Sequence, residues 1–148
     1  MIWYIYLRKG LVFVPTVSRT EAGYYMDINP VAVHAASDYA GIVDSILTSI
    51  SRGNPVIATP SRGNYPAPVI LAHAQVKSWG TFEKSAVCWK VRLKESEYQL
   101  CLMRKSHGRG WEDDPAKTEN HATPSELARR ICELIATFDG PQITGIDQ

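Results

Sequence analysis

The spacing of apolar residues divides the chain into segments of two kinds, and the first kind is β-strand. Residues 2–7 and 11–17 are apolar at almost every position and are joined by a short turn that contains a glycine. This pattern predicts a hairpin within a sheet that is covered on both faces. Residues 24–28 and 31–35, on either side of an Asn-Pro pair, predict a second pair of strands.

Two other segments repeat apolar residues at helical spacing. Residues 38–51 have a capping residue at their start and a glycine after their end, as helices commonly do. A second helix is predicted to begin at the capping-box sequence 123–126 and to end at the Asp-Gly-Pro sequence 139–141. The two buried stripes comprise Ile42, Val43, Ile46, Leu47 and Ile50, and then Leu127, Ala128, Ile131, Leu134, Ile135 and Phe138.

The clearest strand signal is a hairpin formed by residues 87–93 and 98–104, because one register gathers all the apolar residues of one face. That register pairs Leu93 with Tyr98, Val91 with Leu100, and Trp89 with Leu102. Cys88 and Cys101 then do not face each other, so no disulfide across the hairpin is expected.

The remaining segments complete an α+β interpretation. Residues 69–76 fit either a strand or a buried helical turn, and residues 78–85 fit a short capped helix. Residues 105–122 are polar and lack periodicity, which is typical of a functional or mobile loop. We therefore predict a single α+β domain over residues 1–140, a mostly antiparallel sheet with two main helices, followed by a flexible tail at 141–148.

Composition and net charge argue against some classes of protein but do not identify the function. The 148 residues carry 16 Lys plus Arg and 15 Asp plus Glu, a formal net charge of +1. This balance argues against binding of nucleic acid or anionic membranes through bulk charge. The three cysteines lie far apart, and neither a secretion signal nor a membrane span is expected. We therefore predict a cytoplasmic protein with unpaired thiols.

The histidines provide the main enzymatic alternative. None has the spacing of a known metal-ligand pattern, and the common nucleotide-binding and hydrolase motifs are missing from the sequence. We therefore expect no enzymatic activity, no metal and no cofactor, although a cleft that places a histidine beside a carboxylate would reopen the question. The four candidates are His34, His73, His107 and His121.

Two further surfaces are candidates for binding. Basic residues interleaved with aromatic ones could bind single-stranded RNA by phosphate contacts and stacking, or could be solvated loop residues. These are Arg52, Arg62, Lys77, Arg104, Lys105 and Arg109, with Tyr65, Trp79 and Trp111 nearby.

An acidic segment in the long polar loop is the second candidate surface. Trp111 is followed by Glu112, Asp113 and Asp114. An aromatic anchor beside three carboxylates suits contact with a basic protein partner, and a solvated acidic loop is the alternative.

Five short blocks occur in order over the first two-thirds of the chain, at residues 10–16, 21–25, 52–56, 59–62 and 76–79. In one-letter code they read GLVFVPT, EAGYY, RGNPV, TPSR and VKSW. Together these blocks resemble the immunity proteins of bacterial contact-dependent growth inhibition systems.

The resemblance implies a cytoplasmic inhibitor that forms a heterodimer with the carboxy-terminal domain of a cognate toxin. Many toxins of these systems are nucleases, and the inhibitor would occlude the toxin's active site or substrate channel. A nuclease presents positive charge to phosphates, so an acidic contact face is expected. We predict that this face contains Trp111, Glu112, Asp113 and Asp114, with Glu95 and Glu97 at a hairpin tip as further candidates.

Overall fold

A computed structural model describes residues 1–108 and 110–146, with the backbone alone for residues 139–146. The strands of its main sheet are β1 (Ile2–Arg8), β2 (Leu11–Thr20), β3 (Tyr25–Ala35), β4 (Val56–Ile57), β5 (Ala86–Lys94), β6 (Glu97–Leu102) and β9 (Thr118–His121). Six of them lie in the order β3-β2-β1-β5-β6-β9, and the short β4 pairs in parallel with β2. The other pairings are antiparallel, so the predicted α+β class with a mostly antiparallel sheet is confirmed.

The helices and the remaining short elements connect these strands. The helices are α1 (Tyr39–Arg52), α2 (Ile70–Ala74), α3 (Trp79–Lys84) and α4 (Pro124–Ile146). A small second sheet pairs β7 (Arg104–Lys105) with β8 (Trp111–Glu112), and a 3-10 helix spans Pro115–Lys117.

Two of the predicted hairpins are confirmed. Strands β1 and β2 pair through a turn in which Lys9 and Gly10 have positive φ angles of 49° and 76°. Strands β5 and β6 pair in the predicted register, with Trp89 opposite Leu102. Cys88 and Cys101 do not face each other in this register, and they and Cys132 are free thiols.

The predicted hairpin around the Asn-Pro pair is wrong, because residues 25–35 form one continuous strand. Opposite β2 the register shifts, since Pro15 faces Val31 whereas Thr16 faces Ile28. The two extra residues of β3 form a bulge at Pro30, where a proline can be accommodated because no ladder hydrogen bond is required. The Thr16 hydroxyl donates instead to the Pro30 carbonyl at 2.9 Å.

Both main helices pack on one face of the sheet. The Asp38 side chain caps α1 by accepting from the Gly41 amide, and Thr123 accepts from the Glu126 amide at the start of α4. The predicted stripes of both helices join one core with alternate residues of β1 and β5. The largest fully buried side chains of that core from the sheet are Trp3, Ile5, Leu7, Trp89 and Leu100.

The opposite face of the sheet is covered by the short helices. Tyr6 and Phe13 alternate with the residues of the first core, so they project to this second face, where they pack with Phe82 of α3 and Leu71 of α2. The two segments whose structure the sequence left open are therefore both helices. The prediction that the first strands are covered on both faces is confirmed.

Two expectations about the second half of the chain are wrong. The long polar segment is not a single loop, because it forms β7, β8, a 3-10 helix and the edge strand β9. Helix α4 continues to Ile146 rather than ending at the Asp-Gly-Pro sequence, although an internal proline costs a helix one backbone hydrogen bond. Residues 147–148 lie outside the described residues, and the flexible tail stays a prediction. Among the described residues, no helix is long and apolar enough to cross a membrane.

Candidate functional site

A cavity of about 620 Å³ opens beside the second face of the sheet. Its wall is mainly aromatic, proline and aliphatic, with one carboxyl group. A volume in this range is typical of ligand-binding sites. The residues that determine its chemistry are Tyr4, Tyr6, Tyr25, Asp27, Tyr65, Trp79 and the prolines 60, 66 and 68.

Three parts of the chain that are distant in sequence form the cavity wall. Strand β1 contributes the tyrosines at 4 and 6, strand β3 contributes residues 25–29, and the proline-rich segment 57–69 forms another side. Hydrogen bonds attach this segment to the end of the sheet: the Ala22 amide donates to Thr59 Oγ1 at 2.8 Å, and the Glu21 amide donates to the Ile57 carbonyl at 3.0 Å.

Trp79 lies at the start of α3 and is held by ring contacts. The Ser78 hydroxyl accepts from the Thr81 amide and so caps this short helix. The indole of Trp79 stacks on Phe82 with centroids 5.2 Å apart and meets Tyr6 edge-on at 6.0 Å. Aromatic pairs at these distances stabilise each other beyond their buried area, so the ring has a defined position in the wall.

Asp27 is the carboxyl group of this wall. The Tyr6 hydroxyl donates to its Oδ2 atom at 2.6 Å. The other oxygen, Oδ1, is shielded from solvent and has no hydrogen-bond partner within the described residues, although the residue as a whole is partly exposed. Burial raises the pKa of Asp27 to about 7, and the hydrogen bond from Tyr6 opposes this shift. The carboxyl therefore titrates near neutral pH.

The ionisable groups closest to this carboxyl stay uncharged at neutral pH. Burial raises the pKa of Tyr4 to about 12 and raises the pKa values of Tyr6 and Cys88 well above their ordinary values. The negative charge of Asp27 acts in the same direction on all three groups. Within the described part of the chain, Asp27 forms no salt bridge at all.

The acidic segment predicted to contact a partner borders this region, but its side chains have intramolecular partners. Trp111 is half-buried and lies edge-on to Trp79 with centroids 5.7 Å apart. Asp113 accepts from Lys90 at 2.5 Å and Glu112 accepts from Arg104 at 3.3 Å. The remaining acid, Asp114, caps the 3-10 helix through the Ala116 amide.

The structure does not bring the predicted contact residues together in one site. Glu95 and Glu97 lie at the turn between β5 and β6, where Glu97 pairs with Lys94 in the sheet register. The cavity wall includes neither of these glutamates nor any of residues 111–114. Of the predicted set, Trp111 lies closest to the cavity through its contact with Trp79.

Sequence analysis missed Asp27 and the cavity around it. A weak signal is present, because Asp27 is the one charged residue of the run 24–28. Nothing local indicates that this run lies beside the tyrosines of β1, since β2 separates the two strands in the sheet.

Two of the four histidines do lie beside carboxylates. His34 lies 3.2 Å from Asp38, whose other oxygen caps α1. His121 lies 3.0 Å from Glu119, which also accepts from Arg130 at 2.7 Å. The hydrogen bonds from His121 and Arg130 lower the pKa of Glu119. Both carboxylates therefore have structural partners in addition to the histidine.

The other two histidines are separate from these pairs. The His73 ring is 3.0 Å from the side-chain oxygen of Asn29, and His107 is exposed. No group of three or more His, Cys, Asp or Glu side chains suited to a metal ion occurs among the side chains that the structure describes, those of residues 1–108 and 110–138.

Several of the basic residues considered for RNA binding also have partners inside the protein. Arg52 donates to Thr16 Oγ1 at 3.0 Å, and Lys105 donates to the Lys84 carbonyl at 2.8 Å. Arg62 and Lys77 are exposed. Arg109, which has a glycine on each side in the sequence, lies outside the described residues.

Comparison with known proteins identifies the fold alone. No protein-family model matches the sequence, and no curated protein matches it. A protein of unknown function from Neisseria meningitidis, NMB0488, has a similar structure with a TM-score of 0.64 and 10% sequence identity. The alignment covers 93% of this chain and 94% of that protein, so the two share the architecture over nearly their whole length.

Proposed function

We propose that the protein is a cytoplasmic immunity protein that binds and neutralises the toxin domain of a contact-dependent growth inhibition system. The toxin is proposed to be a nuclease, and inhibition to be occlusion of its active site or substrate channel. The contact face is the cavity together with the adjoining rim at Trp79 and Trp111.

The observation that carries this proposal is the location, in the fold, of the five blocks that resemble immunity proteins. Three of the five blocks contribute a residue to the cavity wall: Tyr25, Pro60 and Trp79. A fourth block contains Phe13, whose ring centroid lies 5.7 Å from that of Phe82. Phe82 in turn stacks with Trp79. Residues that support the resemblance thus converge on one surface, although they are separated in sequence.

Apolar side chains near the cavity are exposed to solvent, which supports a protein as the binding partner. Tyr65 is 59% exposed and Val56, next to the cavity residue Ile57, is 66% exposed. Exposed aromatic and aliphatic side chains around a concave site are typical of the centres of protein interfaces. A toxin domain that covers this surface would bury both side chains.

The acidic side chains beside the cavity would then orient the approaching toxin domain more than they would strengthen the complex. Glu112 and its partner Arg104 are both about half exposed, and Asp113 is 50% exposed. Partly exposed charges change association rates and their salt dependence more than they change the strength of a complex. The same acids therefore suit the approach of a basic nuclease even though each has a partner in the free protein.

The test uses the carboxy-terminal domain encoded by a large toxin reading frame immediately upstream. We expect co-expression with this protein to restore growth of cells that produce the toxin domain, and the two purified chains to form a 1:1 complex. An unrelated nuclease domain of similar charge is the matched control and should not bind. Failure to form a complex with the neighbouring toxin domain, with no protection of growth, would overturn the proposal.

A further inference from the structure

The cavity contains an acceptor that the protein itself leaves unsatisfied. Asp27 Oδ2 accepts from Tyr6, whereas Oδ1 is shielded from solvent and has no partner within the described residues. Buried polar atoms are almost always hydrogen-bonded, and an unpaired one destabilises the protein that buries it. A donor brought by a binding partner would therefore be stabilised at this atom.

The surroundings favour a donor that carries positive charge. Lys90 on β5, which acts electrostatically on Cys88, is already paired with Asp113 at 2.5 Å. Arg92 acts electrostatically on Tyr4 but forms no ion pair with Asp27. A cation that enters the cavity would meet a carboxylate for which the described residues provide no counter-charge.

The walls are also suited to a cation on an apolar stem. Tyr4, Tyr6, Tyr25, Tyr65 and Trp79 present aromatic surface to the same cavity. Aromatic faces attract ammonium and guanidinium groups, most strongly where water is excluded. The methylene groups of a lysine or arginine would pack against the proline and aliphatic parts of the wall.

We propose that the cavity receives one lysine or arginine side chain of the bound toxin domain, and that its charged group pairs with Asp27. This inference rests on the proposed function and adds the chemistry of the contact. The exposed apolar rim at Tyr65 and Val56 favours a side chain of a protein over a free amine, because a small amine would leave that rim in water.

The proposal predicts a specific pH dependence of binding. Asp27 must be ionised to pair with a cation, so affinity falls as the pH drops below about 7. Tyr4 and Tyr6 on β1 and Cys88 on β5 lie around the carboxyl and have raised pKa values. The charged groups that act on them besides Asp27 are Lys90 and Arg92 on β5 and Asp113. His73 on α2 contacts the cavity residue Asn29, so His73→Gln is measured as a control.

The experiment measures the affinity of the toxin domain by calorimetry at pH 6 and pH 8. We expect Asp27→Asn to weaken binding at least about tenfold at pH 8 and to abolish most of the loss between pH 8 and pH 6. Asp44→Asn is the matched control, because Asp44 is an exposed carboxyl on α1, at the other face of the sheet. It should change affinity less than about twofold.

One further variant of this protein and a series of toxin variants test the inference if Asp27→Asn folds poorly. Ala67→Trp introduces bulk at an exposed residue of the cavity wall and should weaken binding without altering the carboxyl. On the toxin, each basic residue is replaced in turn by methionine. At one position, the resulting loss of affinity should not add to the loss caused by Asp27→Asn.

The outcomes separate this inference from the proposed function. If the wild-type protein binds no toxin domain, the proposed function fails. If the wild type and Asp27→Asn bind equally well at pH 8, no cation pairs with Asp27 and the inference is overturned while the immunity function stands. If Ala67→Trp binds like the wild type, the toxin is bound outside the cavity, which overturns the inference and the proposed contact face but not the immunity function. Micromolar binding of n-butylguanidinium, with toxin affinity unaffected by Asp27→Asn, would assign the cavity to a free cation and also overturn the inference.

Discussion

The Tyr6 hydroxyl donates a hydrogen bond of 2.6 Å to Asp27 Oδ2, and this bond connects two strands that are not neighbours in the sheet. Tyr6 lies on β1 and Asp27 on β3, with β2 between them. The bond satisfies one oxygen of the carboxyl and leaves the other as the unpaired acceptor of the cavity. The bond thus connects β3 to β1 through Asp27, the one acidic side chain of β3.

Removal of this donor should destabilise the protein. Tyr6→Phe leaves both oxygens of Asp27 without a partner, which should lower the free energy of unfolding by about 1–3 kcal/mol. It should also raise the pKa of Asp27 further, because the lost bond favours the ionised form. Urea denaturation and a carboxyl carbon NMR titration measure the two effects. Tyr39→Phe, at an exposed tyrosine, should have almost no effect, and equal losses in both variants would contradict the role of the bond.

The titration of Asp27 should make the protein less stable as the pH rises. Its pKa is about 7 when folded and near 3.8 when unfolded, so the folded state retains a proton between these values that the unfolded chain has lost. The free energy of unfolding therefore falls between about pH 4 and pH 7, by at most about 4 kcal/mol from this group, and levels off above pH 7.

Asp27→Asn should remove this contribution. Urea denaturation at pH 5 and pH 8 compares the variant with the wild type, and Asp44→Asn is the control that should keep the wild-type difference. Groups elsewhere titrate alike in all three proteins, so their contributions cancel in the comparison. An unchanged difference in Asp27→Asn would mean that the carboxyl is solvated in the folded state.

The two acids after Trp111 should differ in their effect on stability. Lys90 is only 9% exposed and its amino group pairs with Asp113, whereas Arg104 and Glu112 are 55% and 47% exposed. Asp113→Asn leaves a buried ammonium with a weaker partner and should cost about 1–3 kcal/mol. Glu112→Gln should cost less than about 1 kcal/mol. Thermal and urea unfolding of the two variants provide the measurement, and the reverse order would show that Lys90 finds another partner.

The local pattern of residues predicted those elements whose register or boundary is determined within the segment itself. The β5–β6 register follows from one apolar face, and the start of α4 follows from its capping sequence. Strand β9 was missed because Thr118–His121 carries no apolar residue. Its pairing with β6 depends on backbone hydrogen bonds and on the contact of Glu119 with Arg130 of α4.

The cavity could not be predicted because its wall combines distant parts of the chain. Tyr4 and Tyr6 appear in the sequence as an apolar strand, and the prolines of 57–69 appear as a loop. Asp27 on β3 contacts Tyr6 on β1, although β2 lies between the two strands in the sheet. No single segment contains the signal, since the relevant neighbours lie 21 residues apart for Tyr6 and Asp27.

Two nearly identical short sequences should respond differently to the same substitution. Asn54, in Ser-Arg-Gly-Asn at 51–54, accepts from the Ile2 amide at 3.0 Å and donates to the carbonyls of Ile2 and Val17 at 2.8 and 2.9 Å. Asn64, in the same four residues at 61–64, donates at an exposed site to Ser61 Oγ at 2.9 Å. Asn54 thus joins the end of α1 to β1 and β2, whereas Asn64 contacts its own turn.

Asn54→Ala should therefore lower the free energy of unfolding by about 2–3 kcal/mol, because backbone groups of β1 and β2 lose their partner. Asn64→Ala should change it by less than about 0.5 kcal/mol. Urea denaturation of both variants measures the contrast, and hydrogen exchange at the Ile2 amide reports the lost contact directly. Because Asn54 lies outside the cavity wall, the folded fraction of Asn54→Ala should keep any affinity for the toxin domain of the proposed function. Reduced affinity at full occupancy of the folded state would extend the contact face to this end of α1.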